Sequence, residues 1–283
     1  MLVAACVKWV DLRPEVDRVH GTVRSVGGPG GAGWGVSEAD RAAVEVALQL
    51  GAAWDASVAV VCAGSPDAEP ALRGLLAAGV DRAVRVDTTG DESSHAVAVE
   101  LASVLSPGQL GADVVVCGDH SADRGSGTVP AFLAHHLHGA QALGLVRVEP
   151  VAPGRVRAVR RLDGGRREVL EAAAPMVLSV EGSVAELRRA PLSATLAAGE
   201  RSVEVRPGRP VHHVEPPRTR PWRPPPRVVA APSGDGALDR VVQLTGALVE
   251  RNPPRTVELE PAEAARAIME QLRTWGYLPR PGE

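Results

Sequence analysis

The chain has very few aromatic residues. They make up 2% of its 283 residues, with one Tyr and one Phe, whereas 45% of the residues are hydrophobic. The core must therefore be built mainly from Ala, Val and Leu. A chain of this length can bury a substantial core in one large domain or two modest ones.

Cysteines, net charge and long apolar runs are also scarce. The three cysteines, Cys6, Cys62 and Cys117, each end an apolar run, and an odd number without paired spacing argues against a disulfide framework or a zinc site. A formal net charge of −3 gives no general attraction to nucleic acid or membranes. No apolar run approaches membrane-spanning length, and the N-terminus does not resemble a signal peptide. We therefore expect a cytoplasmic protein.

The most informative stretch runs from Val114 to Leu137. Val114–Cys117 is a short run rich in β-branched residues, typical of a strand buried in a parallel sheet. Gly118–Thr128 is a loop of small and polar residues, and Pro130 suits the first turn of a helix. A glycine-rich loop that leads into a helix N-terminus is a typical phosphate site, because free backbone N–H groups and a positive dipole face the ligand. A tight connection without a ligand is the alternative.

Strands and helices alternate along the first half of the chain. We predict strands over Leu2–Val10, Ser57–Cys62, Arg82–Val86 and Val114–Cys117, and helices over Glu38 to about Leu50, Ala68–Ala78, Ser93–Leu105 and from Val129 onward. This alternation predicts an α/β fold with a parallel sheet flanked by helices. Ligands of such sheets bind at the carboxyl ends of the strands, so the loops at Cys6–Val10, Ala63–Ser65 and Gly118–Thr128 should share one rim.

The remaining segments have other patterns. Residues 11–35 form an irregular excursion or a β-ribbon, and a hairpin or meander is expected over Leu143–Val151, Arg155–Leu162 and Glu168–Ala173, followed by a strand at Pro175–Val180. Arg206–Pro232 is a Pro-rich extended arm, and helices follow at Ala237–Glu250 and Pro261–Trp275. We expect a nucleotide-binding α/β domain at 1–199, the Pro-rich arm at 200–235, and a C-terminal helical segment at 236–283 that packs on a partner.

Five segments can be compared with a known family. They are ACVKWVD (Ala5–Asp11), AVEVALQL (Ala43–Leu50), LLAAGVDRAVRV (Leu75–Val86), CGDHSADRGSGTVPAFLA (Cys117–Ala134) and PMVLSVEGS (Pro175–Ser183). In this order they resemble the β subunits of electron transfer flavoproteins, the FixA family. The resemblance spans roughly Leu2–Ala198 and the last helix. The C-terminal third is similar to the mycofactocin-associated type found in actinobacteria.

The resemblance implies a Rossmann-like fold of the adenine nucleotide α-hydrolase-like type. It also implies a heterodimer with an α subunit that holds most of the FAD, while this subunit binds a structural AMP. Electrons would be accepted from dehydrogenases and passed to a quinone-linked or other acceptor, without catalysis by this chain itself. No nucleic acid partner, metal or membrane span is implied.

The resemblance also assigns residues to the AMP site and to partner docking. The phosphate loop would consist of Gly118, Arg124, Gly125, Ser126, Gly127, Thr128 and Val129, with Ala122 and Asp123 beside the nucleoside. The adenosine would be lined by Cys6, Ser37, Glu38, Ala39, Asp40, Ala63 and Gly64. Leu192 falls where the family has a leucine that docks into dehydrogenases, although a core leucine is the alternative, and Leu12 falls near the flavin-facing position.

Departures from the family pattern leave two other functions open. Thr128 replaces a Gln and Gly125 replaces an Asp, while Arg124 adds a cation that could neutralise a second phosphate. The site could then hold a second FAD, as in a bifurcating β subunit. A stand-alone adenine-nucleotide-binding protein or hydrolase is the third possibility, since Asp119, His120 and Asp123 could supply a general base or metal ligands. His135, His136 and His138 lack the helical i, i+4 spacing of metal ligands, so they do not predict a metal site.

Overall fold

A parallel sheet organises most of the chain, in a computed structural model that describes residues 1–25, 31–90, 92–209, 220–223, 231–232, 235–245 and 256–278. The strands are β1 (Leu2–Val7), β2 (Trp9–Asp11), β3 (Glu15–Asp17), β4 (Thr22–Arg24), β5 (Trp34–Val36), β6 (Ser57–Gly64), β7 (Arg82–Asp87), β8 (Val114–Gly118), β9 (Ala140–Ala152), β10 (Arg155–Arg161), β11 (Arg167–Ala173), β12 (Met176–Val180) and β13 (Glu204–Pro207). The helices are α1 (Glu38–Trp54), α2 (Glu69–Ala77), α3 (Ser94–Leu105), α4 (Val129–His136), α5 (Leu192–Ala198), α6 (Ala237–Thr245) and α7 (Pro261–Thr274).

In the described residues, nine strands form one sheet in the order β11-β10-β9-β12-β8-β1-β6-β7-β13. The pairs from β9 to β13 in this order are parallel, and β10 and β11 extend the sheet in antiparallel pairing. From β1 the chain adds β6 and β7 on one side and then returns to place β8 on the other side. The strand order therefore reverses between β1 and β8, and such a switch point is where parallel sheets bind ligands.

Helices cover both faces of the sheet, because successive residues of a buried strand point to opposite sides. Val3, Ala5 and Val7 of β1 pack in one apolar cluster with α1 and α2. Ala4 and Cys6 pack in a second cluster with α3 and α4. This arrangement confirms the predicted α/β class with a parallel sheet flanked by helices.

Some element boundaries differ from the predictions. The predicted strand Leu2–Val10 is divided at Lys8, whose backbone N–H donates to a side chain instead of to the sheet. The first helix continues past Leu50 to Trp54, because Gly51 leaves room for Val58: a Cβ on Gly51 would lie 2.4 Å from Val58 Cγ2. A glycine in this helix therefore marks close packing and not its end.

The segment after α5 contains a strand that the sequence pattern did not predict. β13 pairs in parallel with β7 at the sheet edge, where a proline is tolerated because one side of the strand needs no N–H donor. The excursion at residues 11–35 contains the β3–β4 ribbon and the pairing of β2 with β5. Residues 210–219 and 224–230 of the predicted Pro-rich arm lie outside the described residues, as do residues 246–250 of the predicted helix Ala237–Glu250.

The chain divides into two compact units, Met1–Trp222 and Arg223–Glu283. The second unit contains α6 and α7, in which no described residue is buried. Each of these helices has exposed apolar side chains at helical spacing, including Leu238 and Val241 in α6 and Ile268 in α7, with Trp275 following α7. Both helices are therefore amphipathic.

The packing of α1 against the sheet predicts different effects for two glycine substitutions. A Cβ on Gly118 would lie 2.6 Å from Asp40 Oδ1 and 3.0 Å from the Cβ of Ala39, whereas a Cβ on Gly64 would meet only Cys62 Sγ at 3.8 Å. Gly118→Ala should therefore lower the free energy of unfolding by about 1–3 kcal/mol, the usual cost of overpacking. Gly64→Ala should change it by less than about 0.5 kcal/mol. Urea denaturation of both variants tests this, and equal losses would contradict the packing.

Candidate functional site

A cleft opens at the carboxyl ends of β1, β6 and β8, beside the switch point of the sheet. Its empty volume is about 770 Å³ including its open mouth. Part of its lining is apolar. Cys6 and Cys117 lie opposite each other on β1 and β8, and Val97 and Leu101 of α3 also line the cleft.

The N-terminus of α4 lies at the cleft without a side-chain cap. Its N-cap residue, Thr128, makes no side-chain capping hydrogen bond, whereas Ser37 and Ser93 cap α1 and α3. Phe132 N donates to Thr128 O at 3.1 Å, so the N–H groups before Phe132 have no intrahelical acceptor. An uncapped helix N-terminus attracts an anion through these N–H groups and the helix dipole.

Hydroxyl groups from the start of α3 and from the loop that leads into α4 meet at the same end of the cleft. Ser126 Oγ lies 3.2 Å from Thr128 Oγ1 and 3.3 Å from Ser94 Oγ. Ser94 is the first residue of α3, so the N-termini of α3 and α4 converge here. Each hydroxyl can rotate its hydrogen toward an anion. This end of the cleft is therefore suited to a phosphate group.

The buried carboxyl group of Asp40 connects the two strands at the switch point. Its Oδ2 accepts a hydrogen bond from Lys8 N at 3.1 Å, and its Oδ1 lies against Gly118, where a Cβ would be only 2.6 Å away. Asp40 is only 6% exposed, and this burial raises its pKa to about 6 although the hydrogen bond from Lys8 N opposes the rise. Asp40 therefore holds the ends of β1 and β8 in place beneath the cleft.

Two charged contacts hold the glycine-rich loop. Lys8 Nζ pairs with Asp123 Oδ2, and Asp123 Oδ1 accepts from Arg124 N at 2.8 Å. Burial alone would raise the pKa of Asp123, but hydrogen bonds from Lys8 and Ser121 hold it below its usual value. The guanidinium group of Arg124 donates to the backbone carbonyl of Glu92. Arg124 thus lines the cleft while joining its loop to the loop before α3.

The structure brings together nine of the residues predicted for the nucleotide site. Those that line the cleft are Cys6, Asp40, Ala63, Gly118, Arg124, Ser126, Gly127, Thr128 and Val129. The other predicted residues, Ser37, Glu38, Ala39, Gly64, Ala122, Asp123 and Gly125, belong to the elements around the cleft but do not line it. Their predicted contact with a nucleotide stays a prediction.

A fourth loop at the cleft was missed by the sequence analysis. It connects β7 to α3 and contributes Gly90, Glu92 and Ser94 to the lining. Glu92 is 3% exposed and accepts hydrogen bonds from Thr89 N, Thr89 Oγ1 and Gly90 N at 2.8–2.9 Å. Burial would raise the pKa of Glu92, but these bonds hold it below its usual value. The available signal was Ser93, an N-cap residue shortly after the carboxyl end of a predicted parallel strand.

Asp119 and His120, two candidates for a general base or metal ligands, contact each other. Asp119 Oδ1 lies 2.8 Å from Nδ1 of the exposed His120. Among the described residues, no cluster of His, Cys, Asp and Glu side chains is arranged to hold a metal ion. Also within the described ranges, every helix is too short or too polar to cross a lipid bilayer.

The residues predicted for partner contacts lie away from the cleft lining. Leu192 is the first residue of α5 and is 75% exposed, which excludes the alternative of a core leucine. Leu196, four residues later, is 70% exposed. Leu12 follows β2 and is exposed.

The fold and the cleft define a class of protein: a parallel α/β protein with an anion-attracting cleft at the switch point of its sheet. Comparison with known proteins identifies the family. The profile described as "Electron transfer flavoprotein domain" matches residues 30–207, which is more than half of the chain. The chain belongs to the electron transfer flavoprotein family.

Individual relatives agree with this assignment. The chain is 35% identical over 170 residues to an electron transfer flavoprotein subunit beta of Syntrophomonas wolfei, covering 58% of this chain and 64% of the relative. It is 31% identical over 176 residues to the subunit beta of Mycobacterium bovis, covering 60% and 65%. Protein FixA of Azorhizobium caulinodans is 27% identical over 72% of this chain and 74% of its own. The matched region thus spans slightly less than two thirds of the first two relatives.

The raised pKa of Asp40 predicts a pH-dependent contribution to stability in the nucleotide-free protein. Between its usual pKa of 3.8 and its folded value of about 6, the native state keeps a proton that the unfolded chain releases. The stability from this proton is fully present below about pH 4 and is lost as the pH rises through 6. Relative to Asp40→Asn, the wild-type free energy of unfolding should fall by about 1–3 kcal/mol between pH 4 and pH 7. Denaturation curves across this pH range test this, and parallel pH profiles would contradict it.

Proposed function

We propose that this chain is the β subunit of a heterodimeric electron transfer flavoprotein and that its cleft binds AMP. The single observation that carries the AMP proposal is the uncapped N-terminus of α4, which lies at a cleft on the switch point of the sheet. The family assignment supports the electron-transfer role.

The donor set of the cleft fits an adenine nucleotide. The N-terminus of α4, the hydroxyls of Ser126 and Thr128, and the Arg124 guanidinium suit a phosphate. The apolar side chains of Cys6 and Leu101 suit a purine ring. Bound here, the nucleotide would neutralise the helix end and so stabilise the loop, a structural role without catalysis.

The electron-carrying group of the proposed complex is an FAD held mainly by the α subunit. The flavin supplies the redox chemistry when bound, whereas this chain contributes binding surfaces. In this proposal the complex is cytoplasmic, dehydrogenases deliver electrons through contacts that include Leu192, and a quinone-linked or other acceptor receives them. The exposed apolar faces of α6 and α7 are suited to burial against the α subunit.

Nucleotide analysis of the complex tests this function. The chain is co-expressed with the electron transfer flavoprotein α subunit of the same organism, the purified complex is denatured, and released nucleotides are identified by mass and absorbance. One FAD and one AMP per heterodimer are expected. Two FAD and no AMP would overturn the AMP assignment in favour of the bifurcating type, with Arg124 near the additional phosphate. A monomeric chain that hydrolyses adenine nucleotides would overturn the subunit role itself.

Two glycines of the loop provide a matched pair of variants. Gly125 and Gly127 have similar positive φ values, +61° and +60°, so alanine is strained at both positions. A Cβ on Gly127 would lie 2.6 Å from Asp119 O, whereas a Cβ on Gly125 would have no atom within 4 Å. Gly127→Ala should therefore displace the loop and lower the affinity for AMP about tenfold or more. Gly125→Ala should keep most of the wild-type affinity. Isothermal titration of nucleotide-stripped protein with AMP measures both, and equal affinities would contradict this role of the loop.

A further inference from the structure

An ion pair between the buried Glu45 and the solvent-exposed Arg188 connects the middle of α1 to the segment before α5. Glu45 of α1 is 6% exposed. Its Oε2 accepts hydrogen bonds from Arg188 N at 3.2 Å and from Arg188 Nε at 2.9 Å, and its Oε1 accepts from Arg188 Nη2 at 2.8 Å. Gln49 Nε2 donates a fourth hydrogen bond to Oε1 at 3.2 Å. Each of the two carboxylate oxygens therefore accepts two hydrogen bonds.

The pair is specific to an arginine at position 188. Its planar guanidinium can bond both carboxylate oxygens at once, which a lysine ammonium cannot reproduce. Burial alone would raise the pKa of Glu45, but the hydrogen bonds from Arg188 hold it below its usual value. The same contact raises the pKa of Arg188. Both groups therefore stay charged at neutral pH.

The segment held by Arg188 has little regular structure to fix it. Residues 181–191 form neither helix nor strand, and the seven-residue helix α5 begins directly after Pro191. A helix this short does not hold its position by itself. After α5, Arg201 donates hydrogen bonds to the backbone carbonyls of Leu76, Val80 and Asp81. Before α5, Arg188 supplies a charged anchor, and Val184, Ala185, Leu187 and Ala190 of the same segment pack against the core.

The helix between these anchors presents two leucines to solvent. Leu192 and Leu196 are four residues apart, so they lie on one face of α5. Their exposures of 75% and 70% are high for large apolar side chains. Ala198, at the end of α5, is 3% exposed and belongs to the core. The helix is thus packed at one end while its leucine face stays open.

We propose that Glu45 and Arg188 are positioning residues that hold Leu192 and Leu196 as one preorganised apolar contact for an electron-donating dehydrogenase. This inference rests on the proposed function, in which Leu192 docks into the donor. Preorganisation raises affinity because less side-chain and loop freedom is lost on binding. Glu45 acts through Arg188, since its own side chain is buried in α1.

A spin label tests the positioning directly in the full chain. Ser193 is exposed next to Leu192, and the three native cysteines are buried, so a nitroxide can be attached selectively to Ser193→Cys. Arg188→Met should convert a slow spectral component to a mobile one, and Arg188→Lys should give an intermediate spectrum. Arg189→Met, at the exposed neighbouring position, is the matched control and should leave the spectrum unchanged. Equal mobility in Arg188→Met and the parent would overturn the proposal.

Kinetics test the link to docking. The donor is a purified flavin-dependent dehydrogenase selected because it reduces the wild-type complex, and dithionite is the small-molecule control. Arg188→Met and Leu196→Ala should each raise the KM for the complex roughly tenfold with little change in kcat, while dithionite reduction and AMP content stay unchanged. If Arg188→Met does not fold, Arg188→Lys carries both measurements.

The outcomes separate this inference from the proposed function. An unchanged KM, or a loss of AMP in Arg188→Met, would overturn the positioning role. If no dehydrogenase reduces the wild-type complex, the proposed function fails, whereas the spin-label spectra still decide whether the ion pair orders the segment.

Discussion

The cleft depends on the buried carboxyl group of Asp40, which connects the ends of the two strands that diverge at the switch point. The N–H group of Lys8 lies where the pairing of β1 ends, and a buried N–H without an acceptor costs about 1–3 kcal/mol. Asp40 accepts this hydrogen bond, and its Oδ1 lies against Gly118 at the end of β8. The close approach that this requires is possible because Gly118 and Gly182 have no Cβ to meet the first turn of α1.

The hydrogen bonds at the helix N-termini distinguish α4 from α1 and α3. Ser37 and Ser93 cap α1 and α3 with their own side chains, whereas Thr128 leaves the N-terminus of α4 uncapped at the cleft. The chain therefore satisfies two of these three helix ends internally. At the third end it places hydroxyls and a guanidinium group, so among these three ends this one is suited to an external anion.

Helix α1 supports two surfaces with different purposes. Its first turn holds the strands beneath the cleft through Asp40, and one turn later Glu45 holds the segment that leads to Leu192. Because the helix is buried along most of its length, both carboxylates have fixed positions. Part of the cleft lining and the segment that leads to the exposed Leu192 are thus both held by one buried helix.

The sequence by itself determined the order of strands and helices, the glycine-rich loop before α4 and the family, because apolar periodicity, turn residues and short motifs are local properties. Only the tertiary structure decided which loops meet. It added β13 to the sheet edge, brought Ser94 to Ser126, and paired Glu45 with Arg188 across 143 residues. No local pattern specifies such pairings, since they depend on the strand order and on packing between distant elements. The same reason explains why Asp40 and Gly118 were predicted as cleft residues while the close contact between them was not.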